Sequence, residues 1–157
     1  MKIIDDPQEL QRIMVVRKPI AAEDSVNFVD GEDDILAAAF HAETSGRLIG
    51  VHNDHDIHED HAIIAEPAPK DFDLLGREMI GQGFLLFSED ERLAVLCMAV
   101  DYKLIAGTLS FLHRVFPDFS LQKQEFIELK NEELSRPHFV GYEQALETAT
   151  RFMDWLD

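Results

Sequence analysis

Residues 84–100 read FLLFSEDERLAVLCMAV, two apolar runs separated by a charged tip. The first run ends at Phe87, the tip spans Ser88 to Glu91, and the second run extends from Leu93 to Val100. Two short apolar runs joined by a polar turn predict a β-hairpin with a buried second strand. A helix that begins near Glu89 is the competing interpretation, because periodicity alone cannot distinguish a short buried strand from a buried helix.

The sequence on either side of this hairpin predicts further strands and several helices. The predicted strands are Lys2 to Ile4, Arg47 to His52, and Ala62 to Ala65. Capping residues, prolines and apolar spacing predict helices after Asp6 to about Val16, after Asp30 to about Gly46, after Asp71 to Gly81, after Asp101 to Phe116, from Ser120 to Asn131, and from Tyr142 onward. These elements predict an α+β fold, with a small, mainly antiparallel sheet flanked by about five to six helices.

Length and composition limit the class of protein. The chain has 157 residues, of which 46% are hydrophobic, so we expect one domain spanning 1–157 with a substantial core. No apolar run approaches the ~20 residues needed to cross a bilayer, and no signal-peptide pattern opens the chain. The single cysteine, Cys97, lies in an apolar run and is expected in the core, which excludes a disulfide scaffold. We therefore expect a cytoplasmic protein.

Negative charge is concentrated in residues 19–69. This segment holds twelve Asp and Glu residues against one base, Arg47, and thus carries eleven of the seventeen net negative charges. Such a field repels nucleic acid and anionic membranes and attracts basic partners. Three of the twelve acids, Glu32, Asp33 and Asp34, also have a purely structural explanation, because carboxylates are favoured in the first turn of a helix.

Four histidines within the acidic segment follow one another at intervals of three, and acids lie between them. They are His52, His55, His58 and His61. Imidazole and carboxylate are ligands that divalent transition metals accept, so this segment is a candidate metal site. A solvated loop without metal, or a patch whose charge follows pH, would explain the same composition.

The spacing within the histidine segment is similar to one catalytic pattern and differs from others. Asp56-x-His58-x-Asp60-His61 resembles the His-x-His-x-Asp-His arrangement of metallo-β-lactamase-like hydrolases, with Asp in place of the first His. The resemblance covers six residues and implies a metal-dependent hydrolase. His58 and His61 are one position too close for the zinc-protease helix motif. No nucleophile elbow, phosphate loop or complete dinucleotide fingerprint is present, so no other enzyme class is indicated.

The leading hypothesis is a non-enzymatic acidic protein that docks and neutralises a basic partner protein, as inhibitors and immunity proteins do. The Lys and Arg residues of the chain are scattered along the sequence, which argues against nucleic-acid binding. This hypothesis requires no cofactor. The predicted partner-binding residues are Asp54, Asp56, Ile57, Glu59 and Asp60, with Ile57 as an apolar anchor.

The alternative is a metal-binding protein or a metal-dependent hydrolase. It uses His55, His58 and His61, with Asp56 or Asp60, to hold a divalent transition metal. The sequence does not fix the oligomeric state.

Overall fold

The hairpin predicted between residues 84 and 100 is present in the computed structural model. Strands Phe84–Ser88 and Ala94–Cys97 pair antiparallel, with Phe84 opposite Cys97. At the tip, the hydroxyl of Ser88 accepts a hydrogen bond from the Leu93 N–H at 3.0 Å. The structure describes residues 13–17, 28, 31–52, 62–79, 83–97, 102–135, 137 and 141–152.

The described strands form one antiparallel sheet. They are β1 (Ile13–Arg17), β2 (Leu48–His52), β3 (Ala62–Ala65), β4 (Phe84–Ser88), β5 (Ala94–Cys97) and β6 (Tyr102–Ala106). Their order across the sheet is β1-β6-β5-β4-β2-β3, and every neighbouring pair is antiparallel. The predicted strands at 47–52 and 62–65 are therefore confirmed, while the strand predicted at Lys2 to Ile4 lies outside the described residues.

Helices cover both faces of the sheet. Those in the described part of the chain are α1 (Glu32–Glu43), α2 (Pro69–Glu78), α3 (Leu109–Val115), α4 (Phe119–Leu134) and α5 (Tyr142–Phe152). None of these helices has the length and hydrophobicity that a membrane span requires. With its helices on both sides of an antiparallel sheet, the molecule has the α+β fold that was predicted.

Side chains alternate between the two faces of the central strands, so the sheet has one hydrophobic core on each side. Phe84 and Leu86 on β4 face a first core, which α1, α2 and α3 complete. Leu85, on the opposite face of the same strand, contributes to a second core together with residues of α4 and α5. The central strands are therefore buried on both faces, which explains why they are continuous apolar runs rather than alternating ones.

Two segments that were predicted as helix are strands. Residues 102–106 form β6, and α3 begins only at Leu109, where the Thr108 hydroxyl accepts a hydrogen bond from the Phe111 N–H. The helical spacing of Ile105 and Leu109 misled the prediction, because β6 is buried on both faces and gains ladder hydrogen bonds from β1 and β5. Residues 13–17, expected to end a helix, form β1, in agreement with their β-branched composition.

The start of α1 also differs from the prediction. Its N-cap is Gly31, which has a φ of 84° and, as a glycine, no side chain with which to cap the helix. Glycine tolerates this left-handed conformation without a steric penalty. Asp30, which was predicted as the cap, lies outside the described residues.

Candidate functional site

A groove of about 720 Å³ lies between α1 and the segment that joins β3 to α2. We call it the α1 groove. One wall is the α1 stripe Asp34, Ala37, Ala38 and His41, the opposite wall is residues 66–69, and residues 44–46 also line the groove. The stripe follows the i, i+3, i+4, i+7 spacing of one helical face, so a single face of α1 supplies the wall.

Small and rigid residues form the apolar surface of the groove. Ala37 and Ala38 lie on the helix side, and Pro67, Ala68 and Pro69 lie opposite. Pro69 occupies the first helical position of α2, where its fixed φ suits the helix and its missing N–H costs nothing. These side chains have almost no rotamer freedom to lose, so binding a ligand against them carries a small entropic cost.

The charged residues that line the groove are acidic. Asp34 on α1 and Glu66 at the end of β3 are both exposed, and the exposed His41 lies on the same wall as Asp34. Lys and Arg are missing from the residues that the structure shows lining it. Within the described residues, the ion pairs do not include Asp34 or Glu66.

Two other acids of α1 are turned inward and paired. Glu32, in the first turn, accepts a hydrogen bond at Oε2 from Nζ of Lys103, whose side chain is fully buried on β6. The Lys103 ammonium also lies 5.2 Å from the centre of the Phe28 ring, within the distance of a cation–π interaction. Glu32 is thus part of the internal structure and does not contribute to a docking surface.

Glu43, at the end of α1, is held by α3. Its carboxylate lies 3.5 Å from Nε of Arg114 and accepts a hydrogen bond of 3.2 Å from the Thr108 hydroxyl. Hydrogen bonds from Ser110, Thr108 and Arg114 lower the pKa of Glu43, and desolvation opposes them only in part. Of the α1 acids, Glu32 and Glu43 are therefore turned inward and paired, whereas Asp34 lines the groove.

The base that directly follows residues 44–46 of the groove lining in the sequence is paired with an acid. Arg47 follows Gly46 and forms an ion pair of 3.0 Å with Glu89 at the tip of the β4–β5 hairpin. Hydrogen bonds from Arg47 lower the pKa of Glu89. The hydrogen bond to Glu89 and Coulombic attraction to Glu89 and Glu66 raise the pKa of Arg47, so its charge also acts on the Glu66 side of the groove.

The residues predicted to bind a partner or a metal lie outside the described part of the chain. This holds for Asp54, Asp56, Ile57, Glu59, Asp60, His55, His58 and His61. Among the residues that are described, no group of three His, Cys, Asp or Glu side chains could hold a metal ion. These predictions therefore stay untested.

The first histidine of the cluster is described. His52 ends β2 and lies opposite Phe84. Its Nδ1 atom is buried and, within the part of the chain that the structure describes, has no hydrogen-bond partner. Because a buried ring nitrogen without a partner carries a desolvation cost, this atom is a candidate donor or ligand in the segment that follows.

Sequence reasoning missed the groove because it joins two elements that are distant along the chain. Asp34 and Glu66 belong to the acidic segment of residues 19–69, and His41 lies in the last turn of α1, where a cation is favoured whether or not it serves a site. The signal that could have found the stripe is the run Ala37-Ala38-Ala39, which leaves little side-chain volume on α1. Its location opposite Pro67 depends on tertiary structure.

Protein-family models, curated proteins and solved structures were compared with the chain, and none of them matches.

Proposed function

We propose that this protein is a non-enzymatic acidic binding protein that docks and neutralises a basic partner protein, as inhibitors and immunity proteins do. The observation that carries the proposal is that Asp34 and Glu66, far apart in the sequence, line one groove without a neutralising Lys or Arg among its lining residues. The groove supplies apolar contact area between these two charges. An acidic, partly apolar concavity favours a cationic ligand.

Docking would proceed in two stages. The net charge of −17 attracts a basic protein over long range and raises the rate of encounter. Close contact then buries part of the partner between the alanine wall of α1 and the proline wall opposite. Long-range attraction is screened at high salt, so association should slow as ionic strength rises while the short-range contacts persist.

The test uses charge reversal at the groove. A tagged Asp34→Lys/Glu66→Lys variant and the wild-type protein would each be used to capture proteins from the native host. The matched control is Asp33→Lys/Glu78→Lys, which makes the same charge change on α1 and α2 at residues outside the groove lining. We expect a basic protein to be retained by the wild type and the control and lost from the groove variant.

Kinetics of the captured protein complete this test. Its association rate with the wild type should fall steeply between low and high salt. Equal capture by all three proteins, or an association rate independent of salt, would contradict docking at this groove.

A second candidate function is a metal-binding protein or a metal-dependent hydrolase using His55, His58 and His61. The buried Nδ1 of His52 favours it, because this atom lies at the start of the histidine cluster and has no hydrogen-bond partner among the described residues. Neutral imidazole nitrogen is a common ligand of zinc and related metals. Elemental analysis of protein purified without an affinity tag, with His52→Ala for comparison, tests it; metal far below one equivalent would contradict it.

A further inference from the structure

We propose that the outer edge of strand β3 is a second docking surface, at which an extended segment of the basic partner adds a further strand to the sheet. This inference rests on the proposed docking function, because it takes the partner to be a basic protein, and it assigns a surface other than the α1 groove. The segment that fits is an extended chain in which basic and apolar residues alternate.

The edge of the sheet at β3 lacks the features that normally prevent strand addition. β3 is the last strand in the sheet and, within the described residues, pairs with β2 alone. An edge strand directs every second N–H and C=O group away from the sheet, and natural edges are usually protected by a charged residue, a proline or a bulge. The sequence of β3 is Ala-Ile-Ile-Ala, and its four residues pair one to one with those of β2. At the other end of the sheet, β1 ends with Arg17 and is packed against α4 and α5.

An exposed apolar side chain lies on the same edge. Ile64 is 58% exposed, the largest fraction among the large hydrophobic side chains that the structure describes. It lies opposite Ile49, which lies opposite Phe87, and both of these are half-buried. Residues that lie opposite one another in antiparallel strands share a face, so the three form an apolar row across β3, β2 and β4. A strand added to β3 with an apolar residue opposite Ile64 would lengthen this row and cover the isoleucine.

Charge determines which segment suits this edge. Residues 48–69, which include β3, hold five acids and no Lys or Arg. Glu66 is attracted to Arg47, so the complementarity comes from the net charge of the whole stretch rather than from one carboxylate. Such a stretch attracts a basic strand and repels an acidic one. A second copy of this chain would bring the same acidic stretch and a net charge of −17 to the edge, and is therefore the less suitable occupant.

The experiment compares two cationic peptides for binding to the full-length protein by calorimetry at low ionic strength. The first is an end-capped heptapeptide of alternating lysine and valine. The second is the same peptide with N-methyl groups on its central valine and on the lysine that follows. Both have the same charge and side chains, but methylation removes an N–H from each edge of the peptide. We expect the unmethylated peptide to bind at least about tenfold more tightly, because strand addition needs these backbone hydrogen bonds.

Matched variants of the protein test the position of the surface. Ile64→Lys places a charge on the edge, and Leu74→Lys makes the same change on α2 at a side chain that is 51% exposed. We expect Ile64→Lys to weaken binding of the unmethylated peptide about three- to fivefold, the range for a cross-strand pair. Leu74→Lys should weaken it no more than about twofold, since it alters only the overall charge.

Hydrogen exchange supplies a readout that general electrostatic attraction would not move. With the unmethylated peptide bound to the wild-type protein, amides of residues 62–65 should exchange at least about tenfold more slowly than in the free protein. The methylated peptide should leave their exchange unchanged.

Equal binding of the two peptides, or equal losses in Ile64→Lys and Leu74→Lys, would overturn the inference. So would a wild-type dimer in sedimentation analysis that Ile64→Lys converts to a monomer, because the occupant would then be a second copy. If Ile64→Lys does not fold, as judged by circular dichroism, the two peptides and hydrogen exchange on the wild type decide the result. If the edge fails these tests while the charge-reversed groove variant still loses the native partner, docking at the α1 groove stands and only the strand addition is wrong.

Discussion

The buried ammonium of Lys103 and the carboxylate of Glu32 join strand β6 of the sheet to the first turn of α1. The side chain of Lys103 is 0% exposed and that of Glu32 is 13% exposed. Because α1 also forms one wall of the groove, the ion pair fixes the helix that carries Asp34 and His41. A residue outside the candidate site thereby controls the geometry of its wall.

Breaking this pair should be strongly destabilising. Lys103→Ala leaves a nearly buried carboxylate without its cation, and Glu32→Gln leaves a buried ammonium with only a neutral acceptor. We expect Lys103→Ala to lower the free energy of unfolding by about 3–5 kcal/mol. Urea denaturation of both single variants and of the double Lys103→Met/Glu32→Leu variant measures it.

The double variant should recover much of the loss, because hydrophobic replacements of a buried pair are often neutral or stabilising. The exposed Arg77–Asp73 pair on α2 is the control, and its removal should cost no more than about 1 kcal/mol. Equal losses at the buried and the exposed pair would show that Lys103 is not held as the structure describes.

Gly107, between β6 and α3, should not tolerate a side chain. A Cβ at this position would lie 2.6 Å from Cδ1 of Phe111 and 2.9 Å from Cδ2 of Leu93, both of which are buried. We expect Gly107→Ala to destabilise the protein by about 1–3 kcal/mol through overpacking. Calorimetry should show a lowered Tm for this variant. Gly46→Ala is the control and should change the Tm little, because the nearest neighbour of Gly46 is the exposed Glu89. Similar Tm values for the two variants would contradict this packing.

The sequence predicts the centre of the sheet better than its β1 side. The β4–β5 hairpin is marked by local signals, namely two apolar runs and a polar tip, and these agree with the tertiary structure. At β6, the buried Lys103 interrupts an apolar run, and Ile105 continues the helical spacing of α3. Strand pairing with β1 and β5, which no local pattern reveals, decides the conformation there.

The candidate site shows the same division between local and tertiary information. Composition alone located the surplus of carboxylates in residues 19–69. It could not show that Glu32 and Glu43 turn inward to Lys103 and Arg114, because those partners belong to distant elements. Nor could it place Glu66 across from Asp34. Charge counts are a property of sequence, whereas charge pairing is a property of the fold.

Tyr102 should remain protonated well above the ordinary range of a phenol. Burial raises the pKa of Tyr102 to about 12, and its hydroxyl donates to the carbonyl of Ala145 at 3.1 Å. Because the folded pKa lies above the unfolded value of about 10, the unfolded state loses its proton first. The stabilising contribution is therefore complete below about pH 10 and is lost as the pH rises towards 12.

Spectrophotometric titration measures this pKa. The chain has two tyrosines, so a Tyr142→Phe variant leaves Tyr102 as the only phenol. We expect tyrosinate absorbance to appear with a midpoint near 12 in the folded protein and near 10 in urea. Coincident midpoints in the two conditions would contradict the burial of this hydroxyl.

Charge at residue 41 should set the rate at which the groove captures a cationic peptide. His41 is exposed on the wall that carries Asp34, so His41→Glu adds a carboxylate to the groove and His41→Lys adds a competing cation. In stopped-flow measurements with labelled hexa-arginine at low salt, we expect association to be about tenfold faster with His41→Glu than with His41→Lys, since local charge acts mainly on encounter. The difference should largely disappear at ~1 M salt, where the screening length is about 3 Å.

Ala42→Glu and Ala42→Lys make equivalent changes of net charge at the next, exposed position of α1, outside the groove lining. If they separate the two rates as widely as the residue 41 variants do, the overall field rather than the α1 groove controls capture.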